Sequence, residues 1–144
     1  MITIPPKTQI TSTIQPGSVY YFIDRNLTSA QPHYFIVINL DPLNDPCLLM
    51  AVASSQVKQV LRRNKHIPET VVQISPAVYT TFTYESIVNC NYIFSKSIGE
   101  LTEKLSERNL RAHPVMDISI IKQLRTAAIA SRQVSEEHKD MLRR

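Results

Sequence analysis

Glycine is almost missing from this chain. Its 144 residues include two, Gly17 and Gly99, against nine prolines. Turns must therefore be built mainly from Pro, Asp and Asn. No G-x-G-x-x-G or Walker loop is present, and neither H-E-x-x-H nor G-x-S-x-G occurs. Nucleotide hydrolysis, zinc proteolysis and esterase chemistry thus have no motif to support them. Cysteine is scarce too: Cys47 and Cys90 lie far apart, each in an apolar run, with no C-x-x-C pair and no Cys/His cluster at zinc spacing. They read as buried thiols in a reducing compartment, and neither a metal nor a cofactor is expected. No apolar run approaches the roughly 18 residues that span a bilayer. Residues 1–15 lack the basic start and apolar core of a signal peptide. These absences together point to a cytoplasmic protein with no membrane partner.

What is present is ordinary in bulk. A hydrophobic content of 43% and a charged content of 19% suit a soluble globular chain, long enough for one domain with one core. Sixteen basic residues against twelve acidic ones leave a net charge of +4. That excess is mild. It favours a polyanion a little, and it equally fits a slightly basic protein with no such partner.

The first half carries the clearest pattern. Pro16-Gly17 opens an apolar run at 18–23, and a polar loop at 24–31 follows. A second run at 34–39 is apolar through Ile38, as in a strand buried on both faces. The segment 41–46, with Pro42 and Pro46, breaks both helix and ladder. A third run begins at Cys47 and ends in Ser54-Ser55-Gln56. Residues 56–66 hold Lys58, Arg62, Arg63, Lys65 and His66, and read as an exposed basic loop with a short helical turn. Strands are expected at 70–74, rich in β-branched residues, and at 86–89. From Ser97 the pattern becomes helical: Ile98, Leu101 and Leu105 share a face. Pro114 interrupts it, and Asp117 caps a second helix, with Met116 and Ile121 placed as a hydrophobic staple. Residues 1–15 fit either a disordered arm or an added edge strand, and the charged tail either extends the helix or frays. The expected fold is mainly β with C-terminal helices: a small barrel of five or more strands capped by helices. Its parts would be an arm at 1–15, the barrel at 16–131 and a charged extension at 132–144.

The order of these segments resembles the PemK/MazF-like family of ribonuclease toxins from toxin–antitoxin pairs. Pro16-Gly17-Ser18-Val19-Tyr20 is similar to the family's opening strand, 34–38 to its second, and 51–56 to its third with the Ser/Thr-rich turn behind it. His66-Ile67-Pro68 with Val71-Val72, Glu85-Ser86-Ile87-Val88 and the two closing helices continue the match in order over residues 16–131. The resemblance implies an SH3-like barrel, a homodimer, and a groove that takes single-stranded RNA or a peptide of an antitoxin protein. It also implies RNA cleavage without a metal.

Such cleavage needs a group to take the 2′-OH proton, stabilisation of the charged phosphate and a proton for the leaving oxygen. Where the family has an Arg-Pro pair, this chain has His33 and Tyr34. Arginine is a permanent cation with a fork for phosphate. His33 instead offers an acid or base near neutral pH, or simply ends a loop before a buried strand. The family's catalytic Thr/Ser corresponds to Ser54, with Ser55 beside it; the same pair is also ordinary turn chemistry. Asn89 and Asn91 stand where some members carry a charged pair. As amides they can only hydrogen-bond a base or peptide, or cap a strand end. Arg25, in the loop expected to border the groove, and Lys58, Arg62, Arg63 and Lys65 complete the candidate RNA-binding set. The alternative function is a PemK-like binding module without catalysis.

Overall fold

The apolar runs become strands whose two faces feed two separate cores. The structure is a computed structural model of the 144-residue chain, described for residues 3–25, 27 and 30–144. The first two residues of the expected arm and positions 26, 28 and 29 of the polar loop lie outside the described residues. The strands are β1 (Val19–Phe22), β2 (His33–Val37), β3 (Leu48–Ser54), β4 (Val71–Ile74), β5 (Ser86–Asn89), β6 (Phe94–Lys96) and β7 (Leu110–His113). The helices are α1 (Pro6–Thr11), α2 (Val57–Arg63), α3 (Ile98–Ser106), α4 (Ile118–Ala130) and α5 (Glu136–Arg143).

All seven strands pair antiparallel: six run in the order β4-β5-β3-β2-β1-β7, and β6 pairs with β3 off this path. The long β3 is shared: Leu48–Met50 pair with β6, while Ala53 and Ser54 pair with β5. Among the described residues the path is open, with β4 and β7 at its ends, so the expected closed barrel is not what forms. Helices take up the apolar faces instead. On one face Ile36, Ile38, Leu49 and Ala51 pack with Ile121, Leu124 and Ala128 of α4 and Met141 and Leu142 of α5. On the other, Phe22, Phe35, Val37 and Met50 pack with Ile10 of α1 and Leu101 of α3. The apolar second run is thus buried on both sides, as its sequence required. A sheet covered on both faces gains nothing by curling into a barrel.

The described residues of both flanking segments pack against the rest of the chain. Over residues 3–15 the described chain forms a short helix and a turn in place of a disordered arm or an edge strand. Pro6 starts a short helix, where its missing N–H costs nothing, and Ile10 and Ile14 are buried. The segment at 132–144 forms α5, capped by Ser135, whose hydroxyl accepts from the His138 N–H. The buried Arg125 holds α5 to the sheet: its guanidinium donates to the Ile38 carbonyl at 2.5 Å and to the Leu142 carbonyl. Asp117 caps α4 as expected, accepting from the Ser119 N–H at 2.8 Å, and Met116 and Ile121 are both buried in one cluster. Ser97 and Glu100 form a capping box at α3. β7 and β6 had no counterpart among the expected elements. The 41–46 turn is held from below by Asn39, whose amide donates to Cys47 O and Asp45 Oδ2 and accepts from the Leu49 N–H.

Candidate functional site

The β2–β3 register pairs Tyr34 with Ala53 and Phe35 with Val52. One further step sets His33 opposite Ser54. Residues 33 and 54 therefore share one face of the sheet, with Phe22 beyond His33 and Ile87 beyond Ser54. Both are half-buried. The Ser54 hydroxyl accepts from the Gln56 N–H at 3.1 Å. That turn contact uses a lone pair and leaves the hydroxyl proton free to donate. The His33 Nδ1 is enclosed without a hydrogen-bond partner. A buried polar atom left unpaired costs roughly 1–3 kcal/mol, and each such atom in a folded protein calls for an explanation such as a catalytic role.

Behind Ser54 the chain does not stay a loop. Ser55 is exposed, and α2 presents Lys58, Arg62 and Arg63 to solvent, with exposed Lys65 just past its end. None of these four cations has a carboxylate within ion-pair distance among the described residues. Ser55 and Lys58 line a shallow hollow with Tyr84, which is 72% exposed.

The two asparagines have another task. Asn91 is 3% exposed. Its Nδ2 lies 2.8 Å from Thr70 Oγ1, 2.8 Å from Asn89 Oδ1 and 3.2 Å from Asn64 Oδ1, and its Oδ1 accepts from the Ser131 hydroxyl at 2.6 Å. Both amide hydrogens are committed and the oxygen is engaged inside the fold, so the group is not presented to a base or a peptide. Asn91 is thus removed from the RNA-binding set: it is a buried hub that joins the end of α2, the turn before β4, the end of β5 and the end of α4. Asn89, half-buried, spends its Oδ1 on Asn91.

No protein-family model and no curated protein matches this chain. The site must be read from its own geometry. Among the described residues no helix is long and apolar enough to cross a membrane, and no three His, Cys, Asp or Glu side chains are grouped to hold a metal.

Arg25 sits away from α2, on a cleft of about 670 Å³ where β1 ends and β7 begins. A buried ion pair anchors its approach: Lys96 Nζ lies 2.6 Å from Asp24 Oδ2, both nearly solvent-free. The cleft brings in residues that had not been singled out, namely Lys104, Arg108, Arg111 and His113. The signal for the last two was there in Leu110-Arg111-Ala112-His113 before Pro114, a strand-like alternation ended by a proline. Its period was too short to stand out beside two helices. His113 is pushed below its ordinary value of 6.5, first by desolvation and then by the charge of Arg111. Burial raises Tyr34, with the neighbouring Tyr21 adding to it.

Proposed function

We propose that this chain is a PemK/MazF-like domain of the toxin–antitoxin type, a metal-independent endoribonuclease on single-stranded RNA or a descendant of one. The observation that carries the reading is the placement of His33 opposite Ser54 on one sheet face, beside an exposed and unpaired basic helix. In this reading His33 takes the 2′-OH proton. The 2′-oxygen attacks phosphorus, the bond to the 5′-oxygen breaks, and that oxygen takes a proton from water. Ser54 donates its free hydroxyl proton to a phosphate oxygen, and Lys58, Arg62, Arg63 and Lys65 draw the strand in. Ser55 stands at the same edge as a second hydroxyl. The reading carries with it a homodimer, an antitoxin protein as partner and a cytoplasmic setting, in keeping with two free thiols.

The test is incubation of purified protein with single-stranded RNA and a chelator between pH 5 and 8. Cleavage should leave a 2′,3′-cyclic phosphate, and His33→Ala should abolish it. Absence of any cleavage by the unmodified protein ends the catalytic reading. A second reading, a binding module without catalysis, draws on a specific observation: no permanent cation stands at position 33, and Asn91 is committed to the fold. Overexpression separates the two, since a toxin arrests growth and a silent module does not.

A further inference from the structure

The cleft at the end of β1 combines an aromatic wall with a cationic rim. Its wall is aromatic. Tyr21 is register partner to both Tyr34 and Arg111, so the three form one row across β2, β1 and β7. The Tyr21 and Tyr34 rings meet edge to face at 4.5 Å, and His113 lies 5.2 Å from Tyr34. Its rim is cationic. Arg25, Lys104, Arg108 and Arg111 face one carboxylate, Glu107, and no arginine of the rim has an ion pair among the described residues. The four cations come from a loop, a helix, a turn and a strand, and all line the one cleft.

Arg108 adds an independent sign. It follows the C-cap of α3 with φ at 61°, the left-handed position that glycine or asparagine usually fills. Arginine there carries a conformational cost that glycine avoids. A side chain kept against local preference, at the rim of a cleft, points to use of its charge. The His113 Nε2 is enclosed and without a partner in the same wall.

We propose that this cleft is a subsite for single-stranded RNA, with a base against Tyr21, Tyr34 and His113 and the adjoining phosphates on Arg25, Arg108 and Arg111. The choice of RNA among polyanions rests on the proposed function. Residues 21, 34, 111 and 113 lie on the opposite sheet face from residues 33 and 54, while Phe22, Leu110 and Lys104 lie on the His33 side, so the cleft wraps around the end of β1 and its aromatic wall is the part set apart from the His33–Ser54 pair. An acidic peptide would use the rim and leave the aromatic wall idle; a strand uses both.

The test is fluorescence anisotropy with a labelled 2′-O-methyl oligoribonucleotide, which cannot be cleaved, over a series of salt concentrations. Arg25→Ala and Arg111→Ala should each weaken binding about 10-fold and lower the slope of log affinity against log salt by about 0.7. Arg108→Gly should weaken binding and raise the melting temperature together, which a loss of folding cannot mimic. Lys122→Ala, exposed on α4, should change neither. The proposal is overturned if the unmodified protein does not bind, if the three arginine variants keep its affinity and salt slope, or if polyglutamate displaces the oligonucleotide as well as RNA does. Binding that depends on the arginines without any cleavage of natural RNA sinks only the nuclease reading. Cleavage with arginine-independent binding sinks only the cleft.

Discussion

Replacing Asn91 by alanine separates a structural amide from an RNA-reading one. The side chain bonds four groups, of which Thr70 and Ser131 are 1% and 0% exposed, Asn64 is buried and Asn89 is half-buried. A buried hydrogen bond contributes about 1 kcal/mol net, and a stranded buried donor costs about 1–3 kcal/mol. The Ser131 hydroxyl becomes such a donor in Asn91→Ala. The expected loss is about 3–5 kcal/mol, or about 10–15 °C in melting temperature for a chain of this size. Urea denaturation measures it, with Ser131→Ala and the double variant completing a cycle. The double variant should cost clearly less than the sum, because removal of both partners strands nothing at that bond. Fluorescence-detected RNA binding at a temperature where the variant is folded should be unchanged. A loss below about 1 kcal/mol, or a folded variant that no longer binds RNA while the unmodified protein does, refutes the placement of Asn91 as a structural hub.

Three further outcomes are expected. Gly17 has φ at 88°, and a Cβ there would lie 2.5 Å from the Met116 carbonyl, so Gly17→Ala should cost about 1–3 kcal/mol in urea denaturation; a neutral substitution would show that this turn is looser than described. Folding lowers the His113 pKa, chiefly by desolvation, so the unfolded chain takes the proton first as pH falls. Stability should therefore drop as pH falls through about 6.5 toward the lower folded value, and His113→Gln should flatten that part of the melting profile; identical profiles would contradict it. Burial pushes the Cys90 thiol up to about 12, so iodoacetamide at pH 8 should label native protein at the half-buried Cys47 and reach Cys90 only after unfolding, as read by mass spectrometry of the peptides.

Local signals located most elements because they act within a few residues. The apolar run at 34–38 had to be buried on both sides, since none of its side chains is content in water. Asp117 had to cap a helix, since its carboxylate meets free N–H groups one turn on. Weaker short-range signals stand at two further helices: Pro5-Pro6 at the start of α1, and Ser135 before two glutamates at α5. β7 could not be weighed alone. Four residues with two charged or titratable side chains are a strand only because β1 offers an edge to pair with.

The sequence by itself determined five of the seven strands, the Asp117 cap and the absence of glycine-loop motifs, because these depend on chain-local pattern and residue type; His33 and Ser54 became candidates through the family resemblance. Tertiary structure alone decided that the sheet stays open under helices on both faces, because closure competes with burial contributed by α1 and α5 from the chain's two ends. It alone turned Asn91 inward, because its partners come from positions 64, 70, 89 and 131. It also joined Arg25 to Arg108 and Arg111, which are more than eighty residues away in the chain and meet only through the pairing of β1 with β7.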